Sequence, residues 1–328
     1  MGDALIASSP RIRLIATCGS AEGRGHVGRA LAIADALVAR GAAPELVLLR
    51  GALGNDESGR AASIGLAVVD TAPDDAIDAF ILDVPDVAEQ AAALPAERLL
   101  VIDDRDALAS PAAVVVQPSQ ATWRGHAAVG RVLEGYRYAA VGPAYRHHRD
   151  ATERPATARR GRLDVLVCFG GSDPADVTGR LAPHLDGSDR WQATIILGAG
   201  ARPSTDPWPG PVLRDPPDLA DRMAATDVAL LGAGTMKFEA ACLARPALLV
   251  AAADDQLAVG PAWASTGAAD YLGDGRTIDP MSVMAAIDAL VADPARRTAM
   301  SIAGWDTVDG HAADRIAEAA LAVAAGGR

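Results

Sequence analysis

The sequence predicts an α/β protein built from two Rossmann-like domains that face a common cleft. Three observations support this fold class: short apolar runs alternate with amphipathic helical patterns, the series occurs twice, and a polar stretch without periodicity separates the two copies. Alternating strands and helices form parallel sheets that are covered on both faces. The 328 residues also suit two domains of ordinary size. We therefore expect an N-terminal domain over residues 1–150, a linker at about 146–162 and a C-terminal domain over residues 163–328.

Short apolar runs predict the individual strands. The first domain has such runs at residues 12–17, 46–49, 66–69, 79–83, 99–103 and 113–117. The second domain has them at residues 163–169, 193–197, 228–231 and 247–250. Helical periodicity fills the intervals, and we expect a last helix, 312–325, to return to the first domain. Open sheets of this kind bind ligands beyond the carboxyl ends of their strands, which would place a site in the cleft.

Composition and charge exclude several classes of function. The chain has 42 acidic and 30 basic residues and a net charge of −12. This charge repels polyanions at long range, so nucleic acid is not expected as a partner. No apolar run reaches the roughly 18 residues that span a bilayer, and the N-terminus lacks the features of a signal peptide. We therefore expect a cytoplasmic protein without an integral membrane segment. Three isolated cysteines in or beside apolar runs indicate buried side chains rather than disulfides or zinc ligands.

A glycine-rich loop, residues 19–31, follows the first predicted strand and runs into the first predicted helix. Glycine tolerates positive φ and lets a ligand approach the backbone. The exposed N–H groups of such a helix start, together with the positive end of its dipole, form an anion site that suits phosphate. His26 stands at the mouth of this loop, where a neutral imidazole can accept a proton. The loop therefore predicts phosphate binding next to a catalytic histidine.

Two other interpretations of this loop remain open. Gly23-x-Gly25-x-x-Gly28 matches the dinucleotide fingerprint, but five residues separate the strand from Gly23, and the next apolar run ends in Arg50 instead of an acidic residue. This spacing argues against a nicotinamide cofactor. The second interpretation is a plain glycine-rich turn with an exposed histidine.

A second glycine loop opens the second domain. Gly170, Gly171, Ser172 and Asp173 follow its first predicted strand, and Pro174 fits the first turn of a helix, where its missing N–H costs nothing. Ser172 or Asp173 can cap that helix. Both domains therefore begin with a strand and a glycine loop.

A third loop leaves the strand at residues 228–231 and enters another helix. Gly232 and Gly234 would let a diphosphate approach the N–H groups of Thr235 and Met236. Glu239, one turn into the helix, could accept hydrogen bonds from both hydroxyls of a ribose. The alternative for Glu239 is an ordinary solvated helix carboxylate.

Taken in order, these motifs resemble those of a known family. The matching residues are Gly23, Gly25, His26 and Arg29, then 170–173, then Gly234 and Glu239, then Gln256, then Val308, Asp309 and Gly310 before the last helix, with Gly142, Tyr145 and Arg149 before the linker. The chain resembles the UDP-sugar hydrolases of pseudaminic acid biosynthesis, the PseG-like enzymes. These enzymes are similar to MurG, the lipid II-forming GlcNAc transferase, and have the GT-B fold. The ordered set covers nearly the whole chain, although no single motif is specific.

The resemblance implies a UDP-sugar substrate whose nucleotide is held mainly by the second domain. His26 would activate a water that attacks the anomeric carbon and displaces UDP with inversion. Asp83 and Asp104, at or just beyond the ends of two predicted strands, would join His26 as catalytic residues. The residues implied for substrate binding are Gly25, Arg29, Gly170, Gly171, Ser172, Gly234, Thr235, Met236, Glu239, Asp255 and Gln256. The resemblance implies no cofactor and no metal.

Two departures from the family pattern concern the sugar and its acceptor. The family has Asp-x-Tyr where this chain has Asp83-Val84-Pro85, and Asn-Gln where it has Asp255-Gln256. An inverting glycosyltransferase of the same fold, with an unidentified acceptor, is therefore the alternative function. A catalytically silent binding protein is a third, which the presence of His26 disfavours.

Some polar residues carry weaker predictions. Helix capping explains Asp103 and Asp104 as well as catalysis does. A metal site at His147, His148 and Asp150 is disfavoured, because adjacent residues of a polar linker rarely converge on one ion. The remaining histidines, His126, His184 and His311, are interpreted as structural or exposed.

Overall fold

The computed structural model describes residues 9–18, 25–53, 55–69, 76–119, 123–153, 161–185, 188–202 and 210–326. Contacts between residues divide these into two compact units. The first unit comprises residues 9–18, 26–138 and 312–326, and the second comprises residues 139–311 together with Gly25. Residues 19–24 of the predicted glycine loop, including Gly23, lie outside the described residues.

A parallel sheet forms the centre of the first unit. Its strands are β1 (Arg11–Thr17), β2 (Ala43–Arg50), β3 (Ala67–Val69), β4 (Ala79–Asp83), β5 (Leu99–Ile102), β6 (Ala112–Gln117) and β7 (Val129–Glu134). The strand order in the described residues is β3-β2-β1-β4-β5-β6-β7, and every neighbouring pair is parallel. The order reverses between β1 and β4. In open α/β sheets, ligands bind at such a switch point, beyond the carboxyl ends of the strands.

Helices cover this sheet because their apolar residues repeat at helical spacing. They are α1 (Gly25–Val38), α2 (Asn55–Ser63), α3 (Val87–Ala91) and α11 (Ala312–Gly326). The buried face of α1 includes Val27, Leu31 and Ala34. The C-terminal helix α11 packs on β4, β5 and β6, and it belongs to the first unit although it follows the second unit in the chain.

The second unit has its own parallel sheet and hydrophobic core. Its strands are β8 (Leu163–Cys168), β9 (Trp191–Leu197), β10 (Val212–Arg214), β11 (Val228–Gly232), β12 (Ala247–Ala251) and β13 (Ala269–Asp274), in the order β10-β9-β8-β11-β12-β13. Its helices are α4 (Pro143–Asp150), α5 (Val177–Leu181), α6 (Leu219–Ala225), α7 (Met236–Cys242), α8 (Gln256–Ala264), α9 (Pro280–Ala292) and α10 (Pro294–Thr307). Here the order reverses between β8 and β11, so the second and third glycine loops leave the switch point.

The structure differs from the sequence-based expectation in two places. Three strands were not anticipated: β7, β10 and β13, each at the edge of a sheet. Edge strands are partly exposed and therefore lack a continuous apolar run. In addition, part of the expected linker is helical, because α4 packs against α6 and α7 within the second unit. The described chain thus changes unit at residues 138–139, before the stretch 146–162.

Candidate active site

The switch point of the first sheet brings together three polar side chains. His26 and Arg29 lie in the first turns of α1, which follows β1, and Asp83 is the last residue of β4. Strands β1 and β4 are parallel neighbours, with Ala16 paired to Asp83. Because the carboxyl ends of parallel strands meet at one edge, residues far apart in sequence converge there. We refer to His26, Arg29 and Asp83 as the histidine cluster.

Short hydrogen bonds connect the histidine cluster. The Nδ1 atom of His26 lies 2.7 Å from Asp83 Oδ1. Arg29 donates from Nε to Asp83 Oδ2 at 2.8 Å and from Nη2 to Asp83 Oδ1 at 2.7 Å. The Nη2 atom of Arg29 also lies 3.0 Å from His26 Nδ1. Asp83 is 3 % exposed and Arg29 is 7 % exposed, so each charge is stabilised mainly by the other and not by water.

These contacts assign the tautomer of His26. A guanidinium can only donate and an ionised carboxylate can only accept. A lone pair on Nδ1 would face the Asp83 carboxylate at 2.7 Å, whereas an Nδ1–H there makes a short charge-assisted hydrogen bond. We therefore assign the proton to Nδ1. The other ring nitrogen, Nε2, then carries a lone pair and can accept a proton.

The charge of Asp83 is fixed by its partners. Burial by itself would raise the pKa of this carboxyl group. The charges and hydrogen bonds of Arg29 and His26 outweigh burial and hold its pKa well below the usual range. Asp83 is therefore ionised at neutral pH and orients His26 rather than taking a proton itself. The guanidinium of Arg29 makes two hydrogen bonds to the same carboxylate, whereas the resemblance implied that Arg29 binds substrate.

Asp103 and Asp104 follow β5 at the same edge of the sheet but have different environments. The Asp103 carboxylate accepts backbone N–H bonds from Ala107 and Leu108, both at 2.9 Å, and the indole N–H of Trp123 at 2.9 Å. Asp103 is therefore a structural residue that fixes the following turn. Asp104 is partly exposed and contributes to the raised pKa of Arg29 through its charge. Within the part of the chain that the structure describes, Asp104 makes no hydrogen bond to His26.

The second glycine loop is a rigid turn between β8 and α5. The Asp173 carboxylate accepts the N–H groups of Val177 at 2.9 Å and Thr178 at 2.8 Å, so Asp173 performs the capping expected of either Ser172 or Asp173. Gly170 has a φ of +92°, a conformation that favours glycine. The carbonyl of Gly171 accepts the N–H of Gly200 at 2.8 Å, which ties this loop to the segment after β9.

A buried lysine lies beneath the third loop. Lys237 is 3 % exposed, and its ammonium group donates to the carbonyls of Ala233 at 2.9 Å and Gly234 at 2.8 Å. A trans peptide directs its C=O and N–H in opposite directions. The lysine therefore holds these two carbonyls on its own side of the loop. A lysine within a helical pattern is usually exposed, so nothing in the sequence marked Lys237.

Glu239 pairs with a tyrosine of the second unit. The hydroxyl group of Tyr145, a buried residue of α4, donates a hydrogen bond to the partly exposed Glu239 carboxylate. Burial raises the pKa of Glu239 to about 7, although the bond from Tyr145 acts in the opposite direction. The sequence predicted a site role for Glu239, but Tyr145 was only a matching residue without a role.

Gln256 lies next to the third loop, and Asp255 is exposed. The Oε1 atom of Gln256 accepts the N–H of Ala252 at 3.0 Å. A Cβ atom on Gly234 would lie 3.3 Å from Gln256 Nε2, so a side chain at position 234 would crowd this amide. Asp255 precedes α8, and its side chain makes no capping hydrogen bond to that helix.

The other polar candidates have ordinary partners. The Nε2 atom of His148 lies 2.7 Å from Asp221 Oδ1, and His311 Nε2 lies 3.8 Å from Asp150 Oδ1. Among the described residues, no group of three or more His, Cys, Asp or Glu side chains could hold a metal ion. The guanidinium of Arg149 stacks on Trp305 at 3.6 Å and donates to the carbonyl of Val308 at 2.8 Å. Residues 308–310 are therefore held to α4 by structural contacts.

Known proteins resemble this chain in sequence weakly and in fold clearly. No protein-family model matches it. The spore coat polysaccharide biosynthesis protein SpsG of Bacillus subtilis (strain 168) is 24 % identical over 198 residues, which span 57 % of this chain and 57 % of the length of SpsG.

Solved structures cover almost the whole chain. MurG of Acinetobacter baumannii has a TM-score of 0.59 at 17 % identity and covers 95 % of this chain and 99 % of its own. The UDP co-structure of MnaA from S. aureus has a TM-score of 0.60 at 12 % identity, covering 94 % and 95 %. The spinosyn rhamnosyltransferase SpnG, complexed with thymidine diphosphate, has a TM-score of 0.57 at 16 % identity, covering 97 % of this chain and 100 % of its own.

No helix in the described residues combines the length and the apolar character that crossing a membrane requires.

Both sheets are parallel, both units are α/β, and the structures that match along the full chain include glycosyltransferases. The chain therefore has the GT-B glycosyltransferase fold.

Proposed function

We propose that this protein is an inverting glycosyltransferase that moves a sugar from a nucleoside-diphosphate sugar to a hydroxyl acceptor. The observation that carries the proposal is the bond from His26 Nδ1 to Asp83, which leaves Nε2 as a base. In the reaction, the acceptor hydroxyl gives its proton to Nε2 while its oxygen attacks the anomeric carbon. The bond to the diphosphate oxygen breaks, and the nucleoside diphosphate leaves. A single displacement of this kind inverts the anomeric configuration.

Asp83 acts here as a positioning residue. Its ionised carboxylate holds the Nδ1 proton and stabilises the imidazolium that forms when Nε2 takes a proton. Because Asp83 already accepts two bonds from Arg29, it is not available as the base. Asp104 lies near enough to influence Arg29, and we assign it no step in proton transfer.

The second unit would supply the nucleotide site. Backbone N–H groups of the two glycine loops are suited to the diphosphate, where they would stabilise the charge of the leaving group. The residues proposed for this role are Gly170, Gly171, Ser172, Gly234, Thr235 and Met236. Glu239 would accept the ribose hydroxyls, with Gln256 and Asp255 toward the sugar. Gly25, at the start of α1, is also proposed to bind phosphate through its backbone.

Two observations favour transfer to an acceptor over hydrolysis. The full-length structural matches include named glycosyltransferases such as SpnG and CalG4. This chain also has Val84 and Pro85 where the PseG-like hydrolases have a tyrosine hydroxyl. Since the matched structures include complexes with UDP and with thymidine diphosphate, both nucleotides are candidate leaving groups.

The proposal is tested with a panel of UDP- and thymidine diphosphate-sugars, each with and without a mixture of hydroxyl acceptors. Release of the nucleoside diphosphate should depend on an acceptor, and NMR of the product should show the inverted anomer. His26→Asn should lower turnover by about 10² to 10⁴-fold while nucleotide binding in calorimetry persists. The matched control is His126→Asn, because His126 is exposed and lies outside the histidine cluster.

Three outcomes would contradict parts of this proposal. Equal release with and without acceptors would identify a hydrolase, as the sequence resemblance implies. Loss of binding together with turnover in His26→Asn would make His26 a structural loop residue. Binding without release for every donor would favour a silent binding protein.

A further inference from the structure

One contact of Arg29 is not needed to orient the Asp83 carboxylate. Two bonds from Nε and Nη2 already fix the plane of the Asp83 carboxylate. The same Nη2 atom lies 3.0 Å from the protonated ring nitrogen of His26. A positive charge therefore lies against the imidazole on the side where the carboxylate also lies.

We propose that Arg29 is a positioning residue that cancels the charge of Asp83 at the imidazole and thereby keeps His26 neutral, and able to act as a base, at neutral pH. The proposal rests on the function proposed above, since it explains how His26 keeps its lone pair. It assigns Arg29 a role in the ionisation of His26 rather than in substrate binding.

The reason lies in the charges that surround the ring. A buried carboxylate 2.7 Å from Nδ1, if unpaired, would strongly favour the imidazolium. An imidazolium has no lone pair on Nε2 and cannot accept a proton from the acceptor hydroxyl. The bidentate partner supplied by Arg29 reduces the net charge next to the ring from −1 to zero. Asp83 can then orient His26 without protonating it.

The other charged groups at this edge of the first sheet do not replace Arg29. Asp104, which follows β5, is an anion whose charge, like that of Asp83, favours the protonated form of Arg29. Arg50 at the end of β2 and Asp86 after β4 form an ion pair with each other. Among the described residues, Arg29 on α1 is therefore the cation that hydrogen-bonds to Asp83 and also lies within 3.0 Å of the His26 ring.

The proposal is tested by NMR titration of ¹³C,¹⁵N-labelled histidine in the full chain, with His26→Asn to assign the His26 signals. Arg29→Met should move the midpoint of the His26 titration upward by about one pH unit or more, because the Asp83 charge is no longer cancelled. Asp83→Asn should move the midpoint downward, because Arg29 is then uncompensated. The double variant Arg29→Met/Asp83→Asn should return it toward the wild-type value.

Arg29→Lys is the conservative control. It keeps the positive charge but loses the planar fork, so its midpoint should lie closer to wild type than that of Arg29→Met. The ¹⁵N shifts should also report the Nδ1–H tautomer in the wild type. For an active enzyme, the acidic limb of the pH–rate profile should move in the same direction as each midpoint.

A merely structural role would lower stability without moving the His26 titration. Unchanged midpoints in folded Arg29→Met and Asp83→Asn would therefore overturn the proposal, and so would shifts of the same sign. If Arg29→Met does not fold, Asp83→Asn and the double variant still carry the opposite predictions. The titration needs no substrate, so it tests this proposal independently of the proposed function. Failure of the proposed function would be seen separately, as turnover that persists in His26→Asn.

Discussion

Asp83 of the first unit is buried and Glu239 of the second is partly exposed, and the pKa values of these two carboxyl groups shift in opposite directions. Burial raises the pKa of each, since it disfavours the charged form. Asp83 has the Arg29 guanidinium as a bidentate partner, and its pKa falls well below the usual range. Glu239 has the neutral hydroxyl of Tyr145, and its pKa remains raised, at about 7. The partner, and not burial, therefore decides whether such a carboxylate is ionised.

This difference suits the two proposed roles. A group that orients a catalytic base should have one charge state across the working pH range, as Asp83 does. A carboxylate that binds a ligand should accept few hydrogen bonds in the free protein, because ribose hydroxyls can then supply the donors that it lacks. Glu239 fits the second description, since a single hydroxyl satisfies only part of its capacity to accept hydrogen bonds.

The largest effect is expected from Asp83→Asn, which removes the charge that orders the histidine cluster. The variant leaves Arg29 buried without its counterion, which should cost about 3 to 5 kcal/mol of unfolding free energy. Turnover should fall by about 10² to 10⁴-fold, because His26 loses its orienting partner. Urea unfolding and steady-state kinetics measure the two effects.

Asp221→Asn is the matched control for Asp83→Asn. Asp221 also pairs with a histidine, His148, but it is well exposed. Its replacement should cost less than about 1 kcal/mol and leave turnover unchanged. Equal costs for the two aspartates would show that burial of the histidine cluster contributes little.

The next largest effect is expected from Glu239→Ala on nucleotide affinity. A carboxylate that accepts both ribose hydroxyls contributes charge-assisted bonds worth about 1.5 to 3 kcal/mol each at best. The variant should bind UDP at least about tenfold more weakly in calorimetry, and the change should be smaller for 2′-deoxy-UDP. Equal losses for both nucleotides would place the ribose away from Glu239.

The comparison also predicts opposite pH dependences of stability. The pKa of Glu239 in the folded protein is about 7, above its ordinary value of 4.5, so the native state binds this proton more tightly than the unfolded chain. The resulting stability is present below about pH 4.5 and is lost as the pH rises through about 7. Glu239→Gln should remove this loss. The free energy of unfolding of the variant, measured in urea, should therefore rise relative to that of the wild type as the pH increases from about 4.5 to about 7.

For Asp83 the sign is reversed. Its pKa is depressed on folding, so its contribution to stability is present above the ordinary aspartate value and is lost only in strong acid. In a His26→Asn background, where no titration of residue 26 contributes, the cost of Asp83→Asn should therefore be constant from about pH 5 to 8. A cost that varies across that range in this background would contradict the assigned charge of Asp83.

The smallest effect is expected from Tyr145→Phe. The variant removes the donor that lowers the pKa of Glu239, so that pKa should rise further and less carboxylate should be ionised at pH 7. A lost hydrogen bond of about 0.5 to 1.5 kcal/mol corresponds to a twofold to roughly tenfold weaker affinity for UDP. Calorimetry at pH 7 and pH 8.5 should show a smaller deficit at the higher pH. A deficit that is equal at both would indicate a packing effect.

The sequence predicted the central strands well and the edges poorly. Strands β1, β4, β5, β8, β11 and β12 are buried on both faces and have continuous apolar runs. The short or partly exposed strands β7, β10 and β13 have mixed patterns that resemble loops. The polar residues of α4 likewise resembled a linker, because a helix on the surface needs only one buried face, here that of Tyr145.

The candidate site shows the same division. His26 and Glu239 were predicted as site residues from their positions in or after glycine loops, and Asp83 was predicted from the family resemblance. The roles of Arg29, Tyr145 and Lys237 could not, since each depends on an atom elsewhere in the fold. Arg29 and Asp83 are 54 residues apart in the chain, for example, and meet only because β1 and β4 are neighbours.

The sequence by itself determined the two α/β series, the glycine loops and the presence of a histidine after the first strand. These features depend on local periodicity and on backbone conformations that particular residues permit. Only the tertiary structure decided which charges are paired, which ring nitrogen of His26 holds the proton and which carboxyl group has a raised pKa. Charge states depend on distances of a few ångströms between residues far apart in the chain, and those distances exist only once the sheets have formed.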